Sequence, residues 1–468
     1  MNSVDRQLRS YSDRYSKTLK PLRVDFRASC SSWPWAKRSD AFTHLIHKYP
    51  AKIFPYIPIF FLSSDEWTSQ DDIVLDPFAG TGTVLLESIV HPHNRRHCLG
   101  CDVNPLARLI AKSKTTPIPV RELQRTADRL IHKIRISRKA PQAPAFANVD
   151  FWFSKQVQAG LSKILACLDE IGDSDQKDFF LVCLSSIIRD VSFADPKIAP
   201  PVILNAKNFD SNPKRKKEVE KMINAKKRAV PLHYFKRAID KNILRMSRLV
   251  SIKEVLLRQV KAEIIWDDAR TIRWGLLKER GIIDKTNSAP IENGSIGLVI
   301  TSPPYINAQK YLRTTKFELR WLRLVNENEL VELDRNFLGT ERIFNDEYNH
   351  TQRINVESAD RIIEEIFEID RKRAGIVSRY FMDMKMVFQQ IHKLLKEEGR
   401  LVLVVGNNTI SGRIVENHRI LSDIASAQGD FDVEMVLVDG VRSRGMITKR
   451  HESGGLVLDD WVVVLKRG

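Results

Sequence analysis

Four apolar runs in the chain end on residues able to do chemistry. The first closes on Asp76-Pro77-Phe78-Ala79-Gly80-Thr81-Gly82-Thr83. Gly80 and Gly82 let backbone approach a ligand where a Cβ would obstruct it. The helix expected next turns its free N–H groups to the same spot. A phosphate loop would want a third glycine or a Gly-Lys-Ser/Thr ending, and neither is present. An acidic tip repels phosphate and suits a cation such as an ammonium or sulfonium. The second run ends on Asp102, twenty residues after Gly82. A carboxylate so placed can accept both hydroxyls of a ribose, or it can simply start the turn at Asn104-Pro105. The third run ends on Trp266-Asp267-Asp268, where either acid could accept from an adenine amino group or form a solvated turn. The fourth, Ile296 to Ile300, ends on Thr301-Ser302-Pro303-Pro304-Tyr305. Prolines lack N–H donors, so Ser302 and Pro303 offer acceptors in a stiff loop, and Tyr305 offers a flat face. That combination suits a planar ring bearing an exocyclic NH2. Taken together, the first three ends ask for a ligand with a cationic end, a ribose and an adenine. S-adenosyl-L-methionine meets that description and NAD does not.

Such ends must be held side by side, and the pattern around them says how. "DIVLDPFAGTGTVLLESIV" is an apolar run, a glycine turn and then helical spacing. "HCLGCDVNP", "AEIIWDDAR", "SIGLVITSPPY", "RLVLVVGNN", "FDVEMVLVDG" and "LDDWVVVLKRG" are further short strands, and "YFMDMKMVFQQIHKLLKEEG" is an amphipathic helix. Strands alternating with helices predict an α/β fold with a mainly parallel, doubly wound sheet, where ligands collect at the carboxyl ends of the strands. At 468 residues the chain exceeds one ordinary core. The expected division is a basic N-terminal arm over 1–40, a cofactor-binding half over 41–119, a helical insertion over 120–262 and a catalytic half over 263–468. Within the last, 325–375 reads as a second polar insertion.

Lys+Arg 75 against Asp+Glu 58 gives a formal charge of +17, which draws the protein to polyanions or merely keeps a basic protein soluble. Five cysteines make no disulfide framework. Cys98 and Cys101, with His91, His93 and His97 nearby, lack the second cysteine pair of a zinc site, and no metal is expected. No run reaches the roughly 18 apolar residues of a membrane span. The polar start "MNSVDRQLRSYSDRYSK" has no apolar core of a secretion signal, so the cytoplasm is the expected location.

On these segments the chain resembles the amino-group DNA methyltransferases, the cytosine-N4 and adenine-N6 enzymes of bacteria. DPFAGTGT resembles their cofactor loop and TSPPY their catalytic loop. "HKYPAKIFPYIPIFFL" is similar to their cofactor-side leader, and the resemblance covers roughly 41–118, 262–325 and 376–468. It implies a Rossmann-like methyltransferase sheet and S-adenosyl-L-methionine as cofactor. Asp76, Phe78, Gly80 and Gly82 would surround its methionine part, with Pro50 and Thr301 among the cofactor residues, Asp102 on the ribose and Asp268 on the adenine. Ser302, Pro303, Pro304 and Tyr305 would form the catalytic loop. Serine before Pro-Pro leans towards cytosine N4 as the methylated atom. Ser302 Oγ and the Pro303 carbonyl would accept hydrogen bonds from the amine of a flipped base, and Tyr305 would stack on it.

Double-stranded DNA is then the expected partner. Lys214, Arg215, Lys216, Lys217, Lys226, Lys227 and Arg228 are the expected phosphate contacts, although one basic run is often only a solvated helix face. A companion restriction nuclease is compatible with this class, and the oligomeric state is open. The alternatives are an adenine-N6 enzyme, an RNA methyltransferase and a methyltransferase-like subunit without activity. Enzymes that methylate protein glutamine carry Asn before Pro-Pro, so Ser302 and the basic charge count against them.

Overall fold

The computed structural model describes residues 3–33, 41–49, 52–138, 141, 143–144, 146–198, 200–274, 291–306, 311–343, 351–440 and 459–468. The strands are β1 (Leu22–Arg23), β2 (Ile73–Asp76), β3 (Cys98–Cys101), β4 (Ala262–Trp266), β5 (Ile296–Thr301), β6 (Leu395–Val405), β7 (Asn408–Ile410), β8 (Arg413–Val415), β9 (Phe431–Gly440) and β10 (Asp459–Arg467). Eight of them form one sheet in the order β1-β9-β10-β6-β5-β2-β3-β4, and β7 pairs with β8 separately. From β4 through β3, β2 and β5 to β6 every pairing is parallel. β10 runs antiparallel to both β6 and β9. The mainly parallel α/β sheet read from the apolar runs is therefore present.

Parallel strands covered on both faces need apolar residues at successive positions, not alternate ones. β5 meets that demand, all six residues being buried. Alternate side chains then serve opposite layers. Val74, Leu298, Ile300, Val402 and Val404 pack with the helix Tyr56–Leu62 and with Val84 and Leu85. Leu75, Val299, Leu401, Leu403 and Val405 pack with the helices Glu357–Phe367, Arg371–Leu394 and Asn417–Gln428. The segment expected to be a basic arm also adds to the sheet. Its helix Ser3–Thr18 buries Val4 and Leu8, and β1 pairs parallel to β9 at the sheet edge.

Between β3 and β4 the chain is helical. The helix Val120–Ile136 buries Leu123, Ala127, Leu130 and Ile134, the three-and-four spacing of one helix face. These side chains, together with Phe179, Phe180, Phe235 and Ile239, share one apolar cluster with Leu86, Ile89, Leu106 and Ile110 from the sheet's own helices. The helical segment thus rests on the helices Thr83–Val90 and Pro105–Thr115. Among the described residues no helix is long and apolar enough to cross a membrane.

The topology locates the crevice. From β2 the chain moves to β3 and β4 on one side, then crosses to β5 and β6 on the other. The connections after β2 and β5 therefore leave the sheet in opposite directions, and their carboxyl ends frame an opening. One glycine keeps the first helix close to the sheet there. A Cβ on Gly100 would lie 2.9 Å from Leu85 Cδ1 and 3.0 Å from Ala79 Cβ and Ile264 Cδ1. Gly100→Ala should destabilise the fold by about 1–3 kcal/mol, the usual cost of overpacking a tight contact. A urea unfolding midpoint equal to wild type would show that these neighbours have room to give.

Candidate active site

Asp76 closes β2 and is buried. Its Oδ1 accepts from Thr301 Oγ1 at 2.7 Å and from the Phe78 amide at 3.1 Å. The ends of β2 and β5 are thereby tied together. The chain then makes a turn with Gly80 at φ 51° and Gly82 at φ 71°, both in the left-handed region that favours glycine. The two glycines do different work. A Cβ on Gly82 would meet Ala111 Cβ at 3.0 Å, so Gly82 lets the helix Pro105–Thr115 pack closely. A Cβ on Gly80 would meet nothing within 4 Å, because Gly80 faces open space.

Asp102, just past β3, holds that turn from the other side. Its Oδ2 accepts from the Gly80 amide at 2.9 Å and its Oδ1 from the Asn104 amide at 2.8 Å. Asn104 caps the next helix through Leu106 N–H and donates to Tyr49 Oη at 2.9 Å. Burial raises the Asp102 carboxyl, opposed by the Asn104 amide, Arg108 and the Gly80 amide. Burial pushes Asp76 further, up to about 7; the Thr301 and Phe78 hydrogen bonds oppose the rise and the nearby Asp102 adds to it.

At the end of β4, Asp268 is engaged by its own neighbour. Its Oδ1 accepts from the Arg270 amide and Nε, both at 2.9 Å, and its Oδ2 accepts from Arg270 Nη2 at 2.9 Å. The same guanidinium donates to Asp383 Oδ1 at 3.0 Å and to the Asn336 carbonyl at 3.4 Å. Arg270 thus joins the β4 end to the helix Arg371–Leu394 and to residue 336 of the segment read as a second polar insertion.

One cleft, about 630 Å³ counted out to its open mouth, collects most of these groups. Phe78, Gly80, Asp102 and Asp268 line it together with Ser302 and Pro304 from the loop after β5. Asp76, Gly82 and Thr301 stand behind that lining, and Pro303 is buried beside it. Tyr305 is half-buried and its hydroxyl donates to the Asp460 side chain on β10, whose carboxyl burial raises to about 6. Pro50 lies outside the described residues. Sequence reasoning missed Tyr49, Asn336, Phe337 and Leu338, which also line the cleft. The signal for the last three was "NFLG", an apolar pair before a glycine in a charged stretch. Gly339, at φ 73°, has no Cβ to strike the Tyr305 carbonyl, which would lie 2.9 Å away.

The basic run sits elsewhere, on the helix Pro213–Lys227. Lys214 and Lys217 are exposed. Arg215 pairs with Glu218 at 2.9 Å, and Lys216 pairs with Asp210 at 2.9 Å. Lys227 and Arg228 are exposed, but Lys226 is buried and donates to the carbonyls of Asp190 at 3.1 Å and Ser192 at 2.5 Å. Burial lowers its ammonium to about 8. The structure does not bring Lys226 to the surface with the others.

The chain is 25% identical over 404 residues to the Type II methyltransferase M.MvaI of Kocuria varians, a match spanning 82% of this chain and 80% of that protein. It is 23% identical over 397 residues to the Type II methyltransferase M.BsoBI of Geobacillus stearothermophilus, covering 77% and 73% of the two chains. A stretch of 155 residues, 30% of this chain and 32% of the relative, is 30% identical to the Type II methyltransferase M.AvaI of a Nostoc species. No family model matches the chain.

The raised Asp76 has a measurable consequence. Its folded value of about 7 lies above the ordinary 3.8, so the native state binds the proton more tightly between those pH values. Stability from this source is full below 3.8 and is lost as pH rises through about 7. The thermal midpoint of the wild type, measured against Asp76→Asn, should therefore fall across that range. A constant difference would mean that Asp76 is already ionised throughout.

Proposed function

We propose that this protein is an S-adenosyl-L-methionine-dependent DNA methyltransferase that modifies an exocyclic amino group, cytosine N4 before adenine N6. The observation that carries the reading is the single cleft bounded by Gly80 and Asp102 on one side and by Ser302 and Pro304 on the other. The similarity to Type II methyltransferases over about four-fifths of the chain supports it.

The cleft fits the cofactor on chemical grounds. Among the described residues its lining carries three carboxylates, Asp102, Asp267 and Asp268, and no lysine, arginine or histidine. That lining favours a cation with hydroxyl and amino donors and disfavours a polyphosphate. Gly80 leaves the space that a side chain would otherwise take. Phe78 and Gly80 would hold the methionine part, Asp102 the ribose and the Asp267–Asp268 corner the adenine. When bound, S-adenosyl-L-methionine supplies a methyl group on a positively charged sulfur.

The remaining work belongs to the loop after β5. An aromatic amine is a poor nucleophile because its lone pair is shared with the ring. Ser302 Oγ and the Pro303 carbonyl accept from the NH2 hydrogens and favour a pyramidal nitrogen with its lone pair aimed into the cleft. Proline at 303 and 304 removes two N–H donors that would compete for those acceptors. The base must leave the duplex to arrive here, and Tyr305, its hydroxyl held by Asp460, offers the ring on which to stack it. No cysteine nucleophile is needed, and all five cysteines are buried.

Expression in a methylation-deficient host, with modified bases mapped by single-molecule sequencing, tests the reading. N4-methylcytosine at one recurring sequence is expected, whereas N6-methyladenine would move the target to adenine. Unmodified DNA from a protein that still binds S-adenosyl-L-methionine by calorimetry would reduce it to an inactive relative. Ser302→Ala should lower kcat by about a hundredfold and leave cofactor affinity within about threefold, as for loss of one transition-state hydrogen bond. Unchanged turnover would remove Ser302 from the chemistry.

A further inference from the structure

The helix Tyr311–Trp321 begins six residues after Tyr305, and it carries Arg313, Lys316 and Arg320 at helical spacing. Arg320 is occupied: it donates to Glu327 at 2.7 Å and lies over the Phe146 ring. Arg313 is exposed. Lys316 lies over the Trp152 ring with its ammonium 4.7 Å from the centroid. Burial first, and then Arg320 and Arg313, hold Lys316 below its usual value. Three cations are thus crowded on one short surface.

Trp152 does not stand alone. Phe151 meets it edge to face at 5.1 Å and is 54% exposed, an unusual position for a large aromatic ring. From sequence "DFWFSKQV" suggests either a base-stacking cluster or, as the preferred reading, three core aromatics, and the structure divides them. Phe153 is buried, Trp152 is half-buried under Lys316 and Phe151 projects outward.

The same turn is fastened to the basic helix. Ser154 Oγ donates to the Lys227 carbonyl at 3.1 Å, and Phe193 N–H donates to the Trp152 carbonyl at 2.8 Å. The buried ammonium of Lys226 holds the carbonyls of Asp190 and Ser192 just before Phe193. A continuous path therefore runs from the helix after the catalytic loop, through Trp152 and its turn, to the C-terminal end of the basic helix. Two acids lie on the way: Asp150, paired with Lys155 at 2.6 Å, and the exposed Asp190.

We propose that Arg313, Lys316, Trp152 and Phe151 form a DNA-binding surface that carries the strand from the catalytic loop towards Lys227 and Arg228. The cations contact phosphates, and the exposed Phe151 ring stacks on a sugar or an unpaired base, the pairing of charge and aromatic face that nucleic acid strands use. This surface rests on the proposed DNA methyltransferase reading and assigns to it residues outside the basic run.

The test measures binding of the full chain to a 30-base-pair duplex of random sequence across a potassium chloride series. The double variant Arg313→Gln, Lys316→Gln should weaken binding about tenfold at low salt and lower the salt slope by about 2, near 0.9 for each phosphate left without its cation. Phe151→Ala should weaken binding of the same duplex carrying one unpaired base about five- to tenfold with an unchanged slope, because it removes stacking and no charge. Both variants should still bind S-adenosyl-L-methionine by calorimetry. Wild-type slope and affinity in both variants would overturn this surface while leaving the proposed activity intact. Wild-type protein that binds cofactor but shows no salt-dependent affinity for the duplex would overturn the DNA reading itself. Tighter binding of an RNA duplex of the same length, abolished in the same variants, would assign the surface to RNA instead.

Discussion

A single hydrogen bond joins the ends of the two neighbouring strands that frame the site. Thr301 Oγ1 donates to Asp76 Oδ1 across the point where the connections of the sheet turn opposite ways. The ladder between β2 and β5 pairs Leu75 with Val299, and just beyond it one end leads into the glycine turn and the other into a proline loop. A carboxyl buried this deeply is costly unless its oxygens are satisfied. Thr301 and the Phe78 amide satisfy one oxygen, and the proton favoured by burial relieves the charge. Phe78 is thereby aimed into the cleft, and Gly80 is set where Asp102 can take its amide. The β4 end is held separately, by Arg270 between Asp268 and Asp383.

The legible features are those that a few consecutive residues decide. Buried parallel strands need apolar runs, so the runs ending at 76, 101, 266 and 301 announced the sheet and the edge at which its ligand groups gather. Gly80 and Gly82 announced the turn, but not that one faces open space and the other faces Ala111, because Ala111 arrives from the next helix. The fate of Asp268 was illegible for the same reason. Arg270 is adjacent, but what orients it is Asp383, 113 residues further on. Lys226 reads as one more solvated cation in a basic run. Only the folded arrangement of residues 190–192 supplies the two carbonyls that let its ammonium turn inward. Val4 and Leu8 likewise sit in a polar segment whose apolar pair has meaning only against the underlying sheet.

The two stretches that interrupt the strand pattern serve the site in different ways. The later one bends at Asn336-Phe337-Leu338-Gly339 and closes a wall of the cleft. Arg270 grips the Asn336 carbonyl while Gly339 leaves room for the Tyr305 carbonyl. The wall beside Asp268 and the loop carrying Tyr305 are therefore positioned by one corner of the chain. The earlier stretch is helical, shares its apolar cluster with the helices Thr83–Val90 and Pro105–Thr115, and carries the basic run outward. Its helix Pro213–Lys227 is fixed at the C-terminal end, where Lys226 also meets the negative end of the helix dipole. The N-terminal end, with Lys214 and Lys217, faces solvent.

Charge is segregated as a result. The chain carries a formal +17, but among the described residues no cation lines the cleft, whose charged lining is acidic. Arg270 and Arg108 approach it from behind, and both are turned to acids or carbonyls of the fold. Among the described residues, exposed cations such as Lys214, Lys217, Lys227 and Arg313 stand instead on helices, where a polyanion can meet them without entering the pocket. Under the proposed reading this division is what the chemistry requires. A duplex held by its phosphates would, in an evenly basic protein, compete for the cavity meant for a cationic cofactor. With acids inside and cations outside, the two ligands are sorted by charge before any shape is compared. What then has to pass between the two regions is a single uncharged base, and the loop it meets, Ser302 to Tyr305, is uncharged as well.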